Sequence, residues 1–473
     1  MTVYTIFGIV AAAAFFLALV RFVVNRPPNI LITFLQDFVG SFFIFSGFVK
    51  AVDPLGTSYK MREYFEAFGG EGFPKFWEYV ANYSTFFAIV MIAAELFIGL
   101  MLLIGWRPRF TIGVIWLLTL FFTFLTGYTF LSGYGITKLF LVLSALSIGL
   151  FALVAFPEKQ GRRMNTAFLA IGVAIVLFLV TKMTGYFFLN EFTDTKMKVT
   201  DCGCFGDFIK LKPWETFYKD IILDVMILIL VLNVKFIRPV FGNMFRNGLA
   251  TFSALGSMLF CLYNVYSNEP VIDFRPYKIG SDINDERKEK APEKRVMEFH
   301  FHNKATKQWE LFTYEDVMKN KVIYDKYDTN YRTDKVIDPG IPAKIVNLHI
   351  ENDEGEITDS LLADPNYSLM VVMFDMDNTH TAAIKQLNAI AAGCDKAHVK
   401  FYAVVHGSGK EEEFRHKYQT PYPFYKADET PLKTIIRSNP GLVLFKNGVV
   451  INKWHYRHLP TFEELNDNYF SKK

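Results

Sequence analysis

Cysteine is scarce in this chain: four residues in 473, at positions 202, 204, 261 and 394. That is too few for a disulfide-stapled scaffold, whose small core needs several bridges. Charge of one sign is also lacking, with a formal net charge of +3. No basic cluster or nucleic-acid motif accompanies that balance, so nucleic acid is excluded as a partner. No cofactor fingerprint is present, and no cysteine or histidine set has the spacing of a metal site. What is abundant is apolar surface. Phenylalanine numbers 49 and hydrophobic residues make up 51% of the chain. That excess is confined to residues 1–266, while 267–473 has the composition of ordinary soluble protein.

A helix needs about 20 apolar residues to cross a bilayer core. Eight runs qualify, near 3–24, 30–50, 84–105, 110–131, 137–156, 165–189, 217–237 and 247–266. The first is followed by Arg21 and "NRPP" and has no small-residue cleavage site, so it is read as a retained helix. Basic residues then fix the orientation. Arg21 and Arg26 follow the first run, Arg107 and Arg109 the third, Lys159, Arg162 and Arg163 the fifth, and Lys235, Arg238 and Arg246 the seventh. These turns are predicted to face the cytoplasm. Both termini, residues 50–84 and the segment around 202 are then outside, on the oxidising side of a bacterial inner membrane.

Ionisable groups inside such spans are expensive and invite explanation. Asp37 and Glu95 fall at similar predicted depth on the second and third runs. They form either a polar interior site or simple interhelical hydrogen bonds, with Lys50, Lys138 and Lys182 snorkelling to the interface. The segment "TDCGCFGDF", residues 200–208, holds Cys202 and Cys204 one glycine apart. Such a pair can close a small strained ring that is easily reduced, which suits disulfide exchange. A fixed bridge, or pairing with other cysteines, stays open on the residues alone.

Three stretches, "FLQDFVGSFFIFSGFVKAVDPLG", "IAAELFIGLMLLIG" and "VTDCGCFGDFIKLKPWETFYKDIIL", resemble the DoxX/MauE redox-associated membrane proteins. The whole chain is most similar to their long Bacteroidota-type branch with a soluble tail. The resemblance covers about 30–105 and 200–237 and implies a lysine, a glutamate and a Cys-x-Cys-Phe-Gly segment, matched by Lys50, Glu95, Cys202, Cys204, Phe205 and Gly206. It implies periplasmic disulfide handling, or quinone-coupled sulfur chemistry.

Residues 267–338 read as a periplasmic connecting region, with a solvated charged stretch at "SDINDERKEKAPEKR". In "VMEFHFH" the alternation of a strand puts His300 and His302 on one face, either as a metal pair or as an exposed strand face. From 339 the pattern is α/β. "SLMVVMFD" and "VKFYAVVHG" are buried strands, "NTHTAAIKQLNAIAAG" is a helix with a polar N-cap, and hairpins turn at Asp353-Glu354-Gly355 and Asn447-Gly448. This order resembles the thioredoxin-like fold of the TlpA or peroxiredoxin-like type, with Pro440 at the place of its cis-proline. Active members carry Cys-x-x-Cys where this chain has "DMDNTH", residues 375–380, and Cys394 lies at the far end of the helix as a half-buried inert thiol. The resemblance therefore implies a redox-inactive module whose surface at Pro440 binds partners.

The expected architecture is an α-helical polytopic membrane bundle of about eight transmembrane helices (1–266), the connecting region, and a periplasmic α/β thioredoxin-like domain (339–473). Two functions compete. One is thiol–disulfide handling through Cys202 and Cys204; the other is a non-catalytic scaffold for export, folding or envelope assembly. The expected partners are membrane lipid and periplasmic or membrane proteins. A transporter is disfavoured by the lack of an internal repeat.

Overall fold

Runs of apolar residues in lipid must satisfy their backbone polar groups internally, so they fold as helices. The computed structural model describes residues 3–135, 197–199, 201–319, 324–338, 340–407 and 409–471. The chain divides into two compact units, Met1–Phe274 and Arg275–Lys473.

The first unit holds helices α1 (Val3–Asn25), α2 (Ile30–Val52), α3 (Pro54–Glu71), α4 (Pro74–Ala81), α5 (Ser84–Ile104), α6 (Pro108–Ser132), α7 (Pro213–Leu232) and α8 (Asn243–Tyr266). Local sequence sets the boundaries. Asn29 caps α2 by accepting from the Leu31 and Ile32 amides, and proline occupies the first turn of α3, α4, α6 and α7. In α2 and α5, Gly40 and Gly99 meet face to face. A Cβ on Gly40 would lie 3.0 Å from the Gly99 carbonyl, so only glycine permits this approach.

Among the described residues, five helices are long and apolar enough to cross a membrane: α1, α2, α5, α6 and α8. The expected span at 217–237 is realised as α7, whose first three turns carry Glu215, Lys219, Asp220 and Asp224 and which therefore falls outside that group. The spans expected at 137–156 and 165–189, with Lys138, Lys182 and the basic turn at 159–163, lie outside the described residues. Residues 50–84, expected only as a segment between spans, are mostly the helices α3 and α4. Tyr64 and Phe68 of α3 are buried, and Phe68 packs edge-on against Tyr128 of α6 at 4.9 Å.

The bundle has two chemically distinct ends. At one end, Arg246 donates to the Gly105 carbonyl (3.0 Å), Trp106 to Asn247 (2.9 Å) and the Val240 amide to the Ile104 carbonyl (3.1 Å). Arg21 reaches the Leu103 carbonyl there too. Three basic turns thus converge. The other end carries α3, α4, the segment 201–212 and the end of α8, where Asn264 donates to the Ala51 carbonyl (2.8 Å).

In the second unit, a seven-stranded sheet runs in the order β10-β9-β6-β7-β8-β4-β5. Its strands are β4 (Ile350–Asn352), β5 (Gly355–Glu356), β6 (Tyr367–Met373), β7 (Lys400–His406), β8 (Phe424–Ala427), β9 (Gly441–Lys446) and β10 (Val449–His455). β6, β7 and β8 are parallel, and β9 returns antiparallel to β6. Both faces are covered, which explains why β6 reads as an unbroken apolar run. Met370 and Val372 enter one core with Leu432 and Val443. Leu369, Val371 and Met373 enter the other with Leu387 and Ile390 of α9 (Ile384–Lys396).

Two expectations are corrected here. The helix after β6 begins only at Ile384, behind a 3-10 turn, and has no side-chain cap. Cys394 is fully rather than half buried. Within 267–338, the strand expected at "VMEFHFH" lies in β1 (Lys294–Asn303), which pairs with β2 (Trp309–Thr313) and β3 (Tyr327–Asp338) in a three-stranded antiparallel sheet. His300 bonds Thr333 (2.8 Å) and His302 bonds Asp328 (2.6 Å).

Candidate functional site

The segment "DCGCFG" folds as a tight turn because its residue types allow nothing more extended. Gly203 and Gly206 sit at φ +61° and +51°, where a Cβ is strained. Asp201 accepts from the Gly203 amide (3.1 Å) and pairs with Lys60 of α3 (3.3 Å). Phe205 is the anchor. It is 1% exposed and packs edge-on against Phe42 at 5.9 Å, fixing Cys204 to the bundle core.

Both thiols are free and partly exposed. They line a small, partly open cavity with Lys50, Lys60, Tyr64 and Thr126. Cys204 alone of the two also lines a second small cavity, with Ser46, Glu95, Lys219 and Asp220. The Cys202 thiol stands beside the hydroxyls of Tyr64 and Thr129, which bond each other at 2.7 Å.

Below the turn, ionisable side chains are buried as pairs. Lys50 donates to Glu95 (2.6 Å) and to Ser46 (3.1 Å), and Ser46 donates to the Cys204 carbonyl (3.3 Å). This chain ties the two helical charges to the cysteine turn. Lys219 pairs with Asp220, which accepts from Thr126 (3.0 Å), and Asp224 accepts from Thr123 (2.6 Å). Threonines of α6 thus satisfy the acids of α7. Burial pushes the Cys204 thiol up to about 11, with Lys219 pulling the other way. Burial, with Cys204 alongside, raises Cys202 as well. At neutral pH a group at about 11 is thiolate in roughly one molecule in ten thousand.

The sequence-selected residues separate into three places. Lys50, Glu95, Cys202 and Cys204 come together. Lys50 does not snorkel; it is 4% exposed. Asp37 stands apart and pairs with Arg21 at 2.7 Å, toward the end bearing the basic turns. Its neighbour Gln36 donates to the Leu102 carbonyl, seven residues along α5 from Glu95, so Asp37 and Glu95 differ in depth by about 10 Å. Pro440 is in the second unit, behind a cis peptide bond, and is buried. The face beside it is formed by exposed His380 and by Tyr456, with ring centroids 4.3 Å apart. The 375–380 turn is fastened there, since His380 donates to the Asn439 carbonyl (3.0 Å) and Asn439 to that of Asp375 (2.6 Å).

Sequence reasoning missed Lys219, Asp220, Ser46 and Tyr64. Lys219 and Asp220 were findable, as charges inside a predicted span.

Residues 28–138 match the family described as methylamine utilisation protein MauE. MauE is a membrane protein family, and the match together with five apolar helices among the described residues supports a multi-pass membrane protein. The matched segment spans α2 to α6 and holds Lys50, Tyr64, Glu95 and Thr126; the cysteine turn and α7 follow it in sequence. No curated protein and no solved structure matches the chain. Among the described residues, no group of three or more histidine, cysteine, aspartate or glutamate side chains could hold a metal ion.

Proposed function

We propose that this MauE-like membrane protein exchanges thiols and disulfides through Cys202 and Cys204. It does so at the periplasmic side of a bacterial inner membrane, with both termini on that side. The observation that carries the reading is the seat of the cysteine turn: two free cysteines, of which Cys204 borders a cavity lined by the buried pairs Lys50–Glu95 and Lys219–Asp220. Buried ion pairs seldom stabilise a fold better than apolar side chains of the same volume would. Two of them beneath a dithiol supply charges that a changing thiol can use.

The C-terminal unit is read as a thioredoxin-like docking module. Support comes from the parallel β6–β7–β8 core, the antiparallel β9–β10 hairpin and the seating of the 375–380 turn against Asn439 and Pro440. That turn holds no cysteine, and Cys394 is sealed in the core. The same observation favours the second reading, a non-catalytic scaffold for envelope assembly, should the Cys202–Cys204 pair be inert.

Acid quenching and thiol alkylation in cells decides between them. Both oxidation states of the pair are expected, with a ratio that shifts when the cell's periplasmic oxidant is removed. A pair found oxidised under every condition, with a double serine variant supporting normal growth, would leave only the scaffold.

A further inference from the structure

Cys202 and Cys204 have unlike surroundings. Cys204 packs against the apolar core and borders the cavity that holds Lys219 and Asp220. Cys202 borders the other cavity and meets neutral hydroxyls, those of Tyr64 and Thr129. The Lys219 side chain is 5% exposed, is paired with Asp220 and lies 5.6 and 5.8 Å from the ring centres of Phe42 and Phe205. Phe205 directly follows Cys204. A cation held this far from water interacts more strongly with a nearby thiolate than a solvated one does.

Building on the thiol–disulfide reading, we propose that the two cysteines divide the exchange, with Cys202 forming the mixed disulfide with a partner protein's dithiol and Cys204 serving as leaving and resolving thiolate. Lys219 is the positioning residue that stabilises the Cys204 thiolate, and Asp220 holds Lys219 in place. Starting from the Cys202–Cys204 disulfide, a partner thiolate attacks Cys202 Sγ. The S–S bond breaks and its electron pair leaves on Cys204 Sγ, beside Lys219. The partner's second thiolate then attacks its own sulfur in the mixed disulfide and releases Cys202. The partner dithiol is oxidised to a disulfide, this pair is reduced, and the partner's two protons end on Cys202 and Cys204. The reverse sequence reduces a partner disulfide. A thiol leaves faster when its thiolate is better stabilised, so the inward cysteine is the leaving group when the partner is oxidised, and in reverse it is the resolving thiolate that attacks Cys202 Sγ and expels the partner. The pull of Lys219 on the Cys204 thiol agrees with this assignment.

The groups facing Cys204 must be controlled in the test. They are Lys50 from α2, Lys60 and Tyr64 from α3, Glu95 from α5, Lys219 and Asp220 from α7, and Cys202 in the turn itself; α6 contributes the neutral threonines Thr119 and Thr126. The experiment uses the full chain in detergent with Cys261→Ser and Cys394→Ser. The iodoacetamide rate is followed against pH for Cys204 in Cys202→Ser and for Cys202 in Cys204→Ser. Lys219→Met is expected to slow Cys204 about tenfold at pH 8 and to move its profile up by about one pH unit. Lys219→Arg is expected to restore it to within about threefold, and Cys202 to change less than about twofold. Acid-quenched reduction of the disulfide by glutathione is expected to trap glutathione on Cys202. Glutathione on Cys204, an unmoved Cys204 profile, or equal shifts at both thiols would overturn the division. A pair that never changes state between reduced and oxidised glutathione would instead defeat the exchange reading, while the iodoacetamide profiles still judge Lys219.

Discussion

Lys50 Nζ lies 2.6 Å from Glu95 Oε1, and the two side chains are 5% and 1% exposed. Neither charge is tolerable alone at that depth. Lys50→Met leaves a buried carboxylate unpaired and is expected to destabilise the protein by about 3–5 kcal/mol. Lys50→Met with Glu95→Leu should recover most of that loss. Unfolding midpoints in detergent check both, and a single variant as stable as the parent would mean that the pair does not form. If the double variant is stable yet its cysteine pair no longer cycles, the ion pair serves exchange rather than folding.

The two glycines of the cysteine turn give a graded comparison. A Cβ on Gly203 would meet Lys60 Cγ at 2.9 Å in addition to the strain of φ +61°; one on Gly206 would meet nothing within 4 Å. Backbone strain alone costs about 1–2 kcal/mol. Gly203→Ala is therefore expected to loosen the turn more than Gly206→Ala, since displacing Lys60 also disturbs its pair with Asp201. Faster iodoacetamide labelling of Cys202 in Gly203→Ala than in Gly206→Ala is the readout. Equal rates would show that Lys60 gives way freely.

Much of this was legible from residues because it is written in local patterns. Apolar runs marked the membrane helices, and Cys-Gly-Cys-Phe-Gly marked the turn. Pairing was not legible. Glu95 finds Lys50 rather than Asp37 because α2 and α5 run antiparallel, and no periodicity within one helix reports the register between two. The charges of α7 were visible in the sequence, but their partners were not. Lys219 and Asp220 lower the apolar character of a predicted span, and only Thr126 on α6 shows why they are tolerated there. Of the sheet at 294–338 only the alternation within β1 was legible, since β2 is five residues long and β3 is largely polar.

His455 in the C-terminal unit predicts a pH dependence. It is buried, and burial foremost, with Arg457, His458 and His380 adding to it, lowers its pKa to about 4. Its Nδ1 accepts from the Arg457 amide (3.2 Å), a bond that the neutral ring alone can make. The folded value lies below the unfolded one of about 6.5, so the stabilisation is complete above pH 6.5 and is lost as pH falls toward 4. The loss is expected to reach up to about 3 kcal/mol. Denaturant unfolding of residues 275–473 between pH 7 and 4 measures it, and His455→Gln should flatten the slope. An unchanged slope in that variant would assign the acid sensitivity to other groups.

Orientation is the prediction on which every compartment statement rests. In and around the turns after α1, α5 and α7 stand Arg21, Arg26, Arg107, Arg109, Lys235 and Arg238, and contacts of these segments gather them at one end of the bundle. Short basic connections are retained in the cytoplasm, so the opposite end, with α4 and the cysteine turn, should meet the periplasm. In a chain stripped of its native cysteines, Lys75→Cys in α4 and Gly242→Cys before α8 both stand at exposed positions. A membrane-impermeant maleimide added to intact cells, with the outer membrane made permeable, should label Lys75→Cys and spare Gly242→Cys. Opening the inner membrane should then label Gly242→Cys as well. The reverse pattern would place Cys202 and Cys204 in the reducing cytoplasm, where a dithiol is kept reduced and exchange with periplasmic partners is ruled out.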